Sequence, residues 1–175
     1  RALEWKDFML GLYEKSFHLN DAELYRYILD EVVRLTGSEI GFFHHVSDDQ
    51  QSVIMTSWND TALKNCTAFH ETHYPLSEAG NWADAVRLKS PIVYNNFNQA
   101  PHRKGLPPGH NPIIRFMSVP VIEQGEVRII FGLGNKPENY SDEDVFQTQL
   151  VANSLQSILQ RRRAEKQLRK SEERL

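Results

Sequence analysis

The C-terminal half of the chain has the clearest hydrophobic pattern. Phe116–Ile122 and Val127–Leu133 are apolar runs rich in Val, Ile and Phe, and the short connection between them contains Gly125. A glycine-bearing loop between two such runs predicts a β-hairpin. Ser141 and Asp144 then predict the start of a long helix, because a hydroxyl and a carboxylate at this spacing can satisfy free amide groups of the first turn. The centre of the domain is therefore predicted to be a strand pair followed by a capped helix.

Two amphipathic helices are predicted near the N-terminus. The first has its apolar residues at helical spacing on one face, and these are Trp5, Phe8, Met9, Leu12 and Tyr13. The second begins at Asn20, where Glu23 completes a capping box, and ends at Gly37. Its buried stripe is predicted to consist of Leu24, Ile28, Val32 and Leu35.

The middle of the chain predicts a second hairpin and a short helix. Ile40–Val46 and Ser52–Trp58 read as strands joined by a polar turn. Because side chains alternate along a strand, one face of the first strand should carry Ile40, Phe42, His44 and Val46. A short helix is predicted over Ser77–Leu88, with Trp82 facing inward, and a short strand over Ile92–Tyr94. Residues 59–73 have no clear pattern, and residues 95–112 are predicted to be mostly loop because of their Pro and Gly content.

This order of elements predicts the fold class. Hairpins imply an antiparallel sheet, and the helices must cover at least one of its faces, which gives an α+β fold. After Ile158 the chain becomes almost wholly charged and lacks Gly and Pro, which predicts a polar helix that needs a partner helix or a further domain. The predicted divisions are an N-terminal helix over residues 1–18, a domain over 19–160, and a charged helical linker over 161–175 that leads to a downstream domain outside this piece of the protein.

Composition excludes several classes of function. The chain has 175 residues, a formal net charge of -3 and a single cysteine. This charge argues against general affinity for nucleic acid or an anionic membrane, and one cysteine excludes an internal disulfide. No apolar run approaches the length that a bilayer requires, so direct membrane insertion is not expected. The expected location is the cytoplasm, with which a single cysteine is compatible.

Metal binding and catalysis find little support in the residues. Cys66, His70 and His73 have helical spacing, but a zinc site would need a fourth ligand, and nothing nearby supplies one. We expect Cys66 to be neither catalytic nor essential to the fold. No nucleophile–base pair and no phosphate-binding glycine loop is visible, so an enzymatic function is not predicted for this chain. The sequence identifies no cofactor.

A ligand site is predicted around the short helix and the long loop. Pockets are mostly apolar with a few convergent polar groups. The residues that offer this mixture are Tyr74, Trp82, Asn95, His102, His110 and Arg115. The aromatic side chains would form a flat wall, and an arginine with two histidines would favour an anionic or carbonyl-rich ligand. Two interpretations stay open, because Arg103 and Lys104 could simply be solvated and His110 could only tie down its Pro–Gly turn.

The order of these motifs resembles a GAF domain over roughly residues 20 to 160. The resemblance rests on Ser118–Ile122, the turn at Gly125, Val127–Leu133, Asn135-Lys136, Tyr140, Asp144, Pro91–Asn95 and Gly41–Val46. Residues 105–120 resemble a bacterial subgroup found in signalling proteins, and Arg161–Leu175 resembles the helical linker that leads into a PAS, histidine kinase or GGDEF module. The resemblance implies a GAF/PAS-like central antiparallel sheet of five or six strands flanked by helices, with a long C-terminal signalling helix.

The resemblance also implies a function. The expectation is a sensory domain of a bacterial two-component or cyclic-di-GMP signalling protein, which binds a small, possibly anionic, molecule and relays its state through the C-terminal helix to an output domain. Terminal helices of the family often form parallel dimers, so a homodimer is expected. The alternative is a structural dimerisation module without a ligand. Asn135, Lys136, Tyr140 and Asp144 also resemble the NKFDE motif of cyclic-nucleotide-binding GAF domains, but Val145 replaces its acidic residue. Helix capping is the favoured explanation of Lys136 and Asp144.

Overall fold

The computed structural model describes residues 2–60, 73–101 and 112–174. Its helices are α1 (Ala2–Lys15), α2 (Asp21–Thr36), α3 (Asp84–Leu88) and α4 (Asp142–Glu173). Its strands are β1 (Ile40–Val46), β2 (Ser52–Trp58), β3 (His73–Pro75), β4 (Ile92–Tyr94), β5 (Phe116–Glu123) and β6 (Glu126–Gly134). Three single 3-10 turns lie at Leu76–Glu78, Asn81–Ala83 and Phe97–Gln99. Within these residues, no helix combines the length and the apolar character that crossing a bilayer requires.

The six strands form one antiparallel sheet in the order β3-β2-β1-β6-β5-β4. The predicted hairpin lies at its centre, where β5 and β6 pair from Phe116↔Gly134 to Glu123↔Glu126. Gln124 and Gly125 both have positive φ, at 53° and 78°, which matches the right-handed twist of a two-residue hairpin turn. The α+β fold with a central antiparallel sheet is therefore confirmed.

Both predicted capping boxes are present. The Asn20 side chain accepts a hydrogen bond from the Glu23 amide at the start of α2, and Ser141 and Asp144 exchange the equivalent bonds at the start of α4. Gly37 ends α2 in the left-handed conformation with φ 74°. The α4 helix continues without interruption from Asp142 to Glu173, so the charged segment belongs to the same helix as the buried one.

Two apolar clusters lie on opposite faces of the sheet. The first, which we call the helix-side core, joins α1, α2 and α4 to strand residues such as Phe43, Met117 and Phe131. The second covers the other face and includes Ile40, Phe42, Trp82 and Phe116, and we call this surface the aromatic face. Residues 42 and 43 belong to different clusters because successive side chains point to opposite faces of a strand.

One local prediction needs correction, and one short strand was not predicted. The helix predicted over Ser77–Leu88 is instead two 3-10 turns followed by the short helix α3, because Gly80 is extended, with ψ -161°, and interrupts the helical path. Arg87 ties this irregular segment together by donating to the carbonyl oxygens of Leu76, Ala79 and Gly80. The strand β3 falls at the edge of a region without a clear pattern, and its three residues pair with Ser52–Ile54 of β2.

Candidate ligand-binding site

The aromatic face is built on a close contact between β1 and β6. Phe42 pairs across the sheet with Gly132, and its ring lies where a side chain at position 132 would stand, because a Cβ there would be 2.4 Å from the ring. The ring of Phe42 stacks on His44 at 4.6 Å and on Phe116 at 6.0 Å between centroids. Glycine at position 132 therefore leaves room for the rings of Phe42 and His44 on β1 and Phe116 on β5 to pack together.

His44 is held in this surface by a bulge in β2. The pairing partner shifts from Ser57 opposite Phe43 to Met55 opposite His44, which leaves Thr56 without a backbone partner across β1. The Thr56 amide donates instead to His44 Nδ1 at 2.9 Å, and its hydroxyl accepts from the His45 amide. The neutral imidazole then carries its proton on Nε2. His44 is only 2% exposed, and Trp58 packs edge-on against it at 4.8 Å.

Tyr74 and Trp82, two of the predicted site residues, meet on this face. Trp82 lies edge-on to Phe42 and His44, at 6.2 Å from each ring, and Tyr74 packs against Trp82 at 5.7 Å. The 3-10 turn that carries Trp82 is fixed by Asn81, whose buried amide donates to Asp84 and to the Pro101 carbonyl. Both rings are only partly buried, so part of each ring is an exposed apolar surface.

Asn95 and Arg115 lie elsewhere, and the structure does not bring them together with these rings. Asn95 Oδ1 accepts a 2.7 Å hydrogen bond from the Tyr140 amide, which ties β4 to the residue before the α4 cap. Arg115 lies in a bend just before β5. Its guanidinium contacts Asn139 and the Lys136 carbonyl. His102 and His110 lie outside the described residues, as do Cys66 and His70 and the side chain of His73.

Sequence reasoning overlooked the strand residues of the site. Phe42, His44, Trp58 and Phe116 were assigned only to strands, although the alternation in β1 already put Phe42 and His44 on one face. The bulge in β2 that fixes His44 is not encoded by any residue type, so the sequence could not predict it.

Lys136 and Asp144 form a buried ion pair at the start of α4. Lys136 Nζ lies 2.7 Å from Asp144 Oδ2, and the two side chains are 11% and 10% exposed. Asp144 also accepts from the Ser141 amide, while Tyr140 contacts the Lys136 amide and Ser38 through its hydroxyl. Burial raises the pKa of Tyr140 to about 12, so the hydroxyl stays protonated. The geometry thus gives the Asn-Lys…Tyr…Asp pattern a structural role in capping α4.

Comparison with known proteins decides the family. The sequence matches the family model described as "GAF domain" over residues 18–160. The chain belongs to the GAF family. A relative in Methanosarcina acetivorans, "Methyl sulfide methyltransferase-associated sensor", is 34% identical over 149 residues, which is 84% of this chain. That alignment covers 15% of the relative, so the GAF domain corresponds to a small part of that protein.

Solved structures support the GAF fold. The GAF domain of a phosphoenolpyruvate-protein phosphotransferase from Coxiella burnetii superposes with a TM-score of 0.76 at 14% identity, and the match covers 94% of this chain and 98% of the other. Free methionine-R-sulfoxide reductase from Neisseria meningitidis, solved with its substrate, superposes with a TM-score of 0.63 at 12% identity, over 90% and 87% of the two chains. At these identities the likeness concerns the fold.

Proposed function

We propose that this GAF domain is a sensory module that binds a small molecule on the aromatic face and transmits its state through α4. The observation that carries this proposal is the ring cluster of Phe42, His44, Tyr74, Trp82 and Phe116, in which Phe42, Tyr74 and Trp82 are only partly buried. Stacked and edge-on rings favour a ligand with a planar or flat apolar part. His102 and His110, from the loop that precedes β5, are proposed to supply its polar contacts. Arg115 is the least suited of the predicted donors because its guanidinium already contacts Asn139 and the Lys136 carbonyl.

Strands β5 and β6 connect the aromatic face to α4. Phe116 on β5 and Gly132 on β6 contribute to the aromatic face, while their neighbours Met117 and Phe131 pack in the helix-side core together with Val151 and Leu155 of α4. A ligand that displaces the rings would therefore act on the same strands that support the helix. Because α4 continues to Glu173, a change in its packing would be carried beyond the domain.

Two further points support a sensory rather than an enzymatic role. The relative in Methanosarcina acetivorans is named as a sensor, and the chain has one cysteine, whereas a thiol-based sulfoxide reductase of this fold would use several. A histidine kinase or GGDEF output domain in a cytoplasmic bacterial-type signalling protein remains the proposed context. A cyclic-nucleotide site is less well supported, because Lys136 and Asp144 neutralise each other in the α4 cap.

The test is native mass spectrometry of protein purified without denaturation. A retained molecule should appear as an added mass that collisional activation removes. Trp82→Ala should lower its occupancy at least about tenfold, because a large part of the aromatic surface is lost. Phe146→Ala is the matched control, since Phe146 is an aromatic residue 57% exposed on α4. Equal occupancy in the Trp82 variant, or no retained molecule in any preparation, would contradict the proposal.

A ligand-free dimerisation module is the second candidate, and the surface of α1 favours it. Leu3, Leu10 and Phe17 follow one another at heptad spacing and are 70%, 63% and 58% exposed. Tyr13 adds a fourth apolar side chain and packs edge-on against Phe17 at 5.3 Å. An exposed stripe of this kind suits a second copy of the same helix in a parallel homodimer.

A further inference from the structure

A separate cavity lies on the helix side of the sheet, away from the aromatic face. Its volume is about 450 Å³, within the range of small-molecule sites. Its wall includes His45, Ile54, Glu123, Arg128, Gln156 and Arg163. His45 alternates with His44 along β1 and so faces away from Trp82. Gln156 and Arg163 are seven residues apart on α4, which places them on the same side of that helix.

Gln156 gives this cavity a buried hydrogen-bond acceptor that lacks a partner. The side chain is 4% exposed, and its Oε1 atom has no hydrogen bond within the part of the chain that the structure describes. A buried polar atom in this state is costly unless a ligand or water satisfies it. An N–H donor would fit at this position.

The charges around the cavity are of both signs but are not all paired. Arg128 is neutralised by Glu126 at 3.2 Å and Asp48 at 3.7 Å. Glu123 and Arg163, in contrast, form no ion pair with each other or with another described residue. One carboxylate and one guanidinium are thus available on the wall of the same cavity as the Gln156 oxygen. Val46 and Ile54 add an apolar patch.

We propose that this cavity is a second ligand site, which takes a small aliphatic zwitterion such as an α-amino acid. The Arg163 guanidinium binds the ligand's carboxylate through forked donors. The ligand's ammonium group donates to Glu123 and to Gln156 Oε1, and its aliphatic part lies on Ile54. Since Gln156 and Arg163 belong to α4, a bound ligand would contact that helix directly near the point where it leaves the domain. This site is independent of the proposed aromatic-face site.

The experiment is an NMR titration of the full chain with L-valine, followed on the side-chain amide signals of Gln156. Two matched probes remove one charge each: isovalerate lacks the ammonium group, and isobutylamine lacks the carboxylate. L-Valine should shift the Gln156 signals, and each probe should bind about tenfold more weakly or worse, because one charge-assisted contact is lost. Isovalerate binding as tightly as L-valine, or no shift with any of the three, would overturn the proposal.

Variants locate the site and separate it from the aromatic face. Arg163→Gln and Glu123→Gln should each weaken L-valine binding about tenfold, whereas Arg169→Gln and Glu172→Gln, on the exposed end of α4, should not. Gln156→Leu should remove binding while the melting temperature is kept or raised, since it deletes an unpaired buried acceptor. Trp82→Ala should leave L-valine binding intact. Loss of binding in Trp82→Ala would place the ligand on the other face and contradict the inference.

Discussion

Gly132 shows how one residue without a side chain shapes the candidate site. The Phe42 ring covers Gly132 and is itself enclosed, because it stacks between His44 and Phe116 and Trp82 packs against its edge. The ring therefore has little room to retreat from an added methyl group. The position links the backbone of β6 directly to the geometry of the ligand surface.

Gly132→Ala should lower the free energy of unfolding by about 1–3 kcal/mol, the usual cost of overpacking a core. Urea denaturation measures it. Phe42→Leu should rescue much of the loss in the double variant, because a shorter side chain removes the clash with the Cβ. Additive effects of the two substitutions would show that the contact is not the cause.

The ion pair between Lys136 and Asp144 is the second residue-scale device. Lys136→Met should destabilise the domain by about 3 kcal/mol, because it leaves a buried carboxylate without its cation. Glu165→Gln, which removes the exposed pair with Arg161, should cost less than about 1 kcal/mol. Chemical denaturation of both variants provides the comparison, and equal small effects would contradict a buried role for Lys136.

His45 makes stability depend on pH. Burial and the nearby Arg163 lower its pKa in the folded protein, although Asp21 partly opposes them. Below the ordinary histidine pKa of about 6.5, His45 is protonated in the unfolded chain but still neutral in the folded chain. Its contribution therefore lowers the free energy of unfolding as the pH falls from about 6.5 to the lowered pKa of the folded state. His45→Gln should reduce the slope of unfolding free energy against pH in this window, measured by denaturation at a series of pH values. An unchanged slope would contradict the shift.

At the scale of elements, local signals predicted the parts that depend on neighbouring residues. Asn20 with Glu23, Ser141 with Asp144, and Gly37 set helix ends through contacts only a few residues apart, and each was found as predicted. The hairpin at Gly125 is local in the same way. Sequence could therefore give the fold class and most element boundaries.

The parts that the sequence could not give depend on distant contacts. Gly80 interrupts the predicted helix while Arg87 stabilises the resulting turns through carbonyl contacts that no periodicity encodes. The bulge at Thr56 exists because His44 on another strand accepts its amide hydrogen bond. Arg115 has a suitable side chain for an anion, but Asn139 and the Lys136 carbonyl, more than 20 positions later in the chain, already bind its guanidinium. The composition of a site can be read from a sequence, whereas the face on which each member lies requires the register.

The exposed stripe on α1 leads to a prediction about assembly. Leu10 lies at its centre, so Leu10→Glu should convert the proposed homodimer into a monomer by placing like charges on facing helices. Light scattering of the purified chain gives the mass directly. Leu88→Glu, the same substitution at a leucine 61% exposed on α3, is the control for the added charge. A monomeric mass for the unmodified chain would contradict dimerisation through this stripe.

At the scale of the whole molecule, the exit of α4 is anchored to the connection between α1 and α2. Arg162 donates to the carbonyl oxygens of Ser16 and Leu19 and pairs with Asp21, while Arg161 lies over the Phe17 ring at 4.5 Å. These contacts join residues more than 140 positions apart in sequence, and they occur where α4 changes from a buried helix to an exposed one. Any movement of α4 relative to α1 and α2 must strain or release them.

Arg162→Ala should therefore loosen the exit of α4 without unfolding the sheet. Three backbone and side-chain partners lose their donor, so amide hydrogen exchange should rise about tenfold or more around residues 16–21 and 159–166, in line with the loss of a charge-assisted bond. Exchange in β5 and β6 should stay as slow as in the unmodified chain, because those strands are held by the helix-side core. Arg169→Ala is the matched control, since its side chain lies on the exposed end of the same helix. Hydrogen exchange followed by mass spectrometry resolves these segments, and equal protection in both variants would show that Arg162 does not anchor the helix.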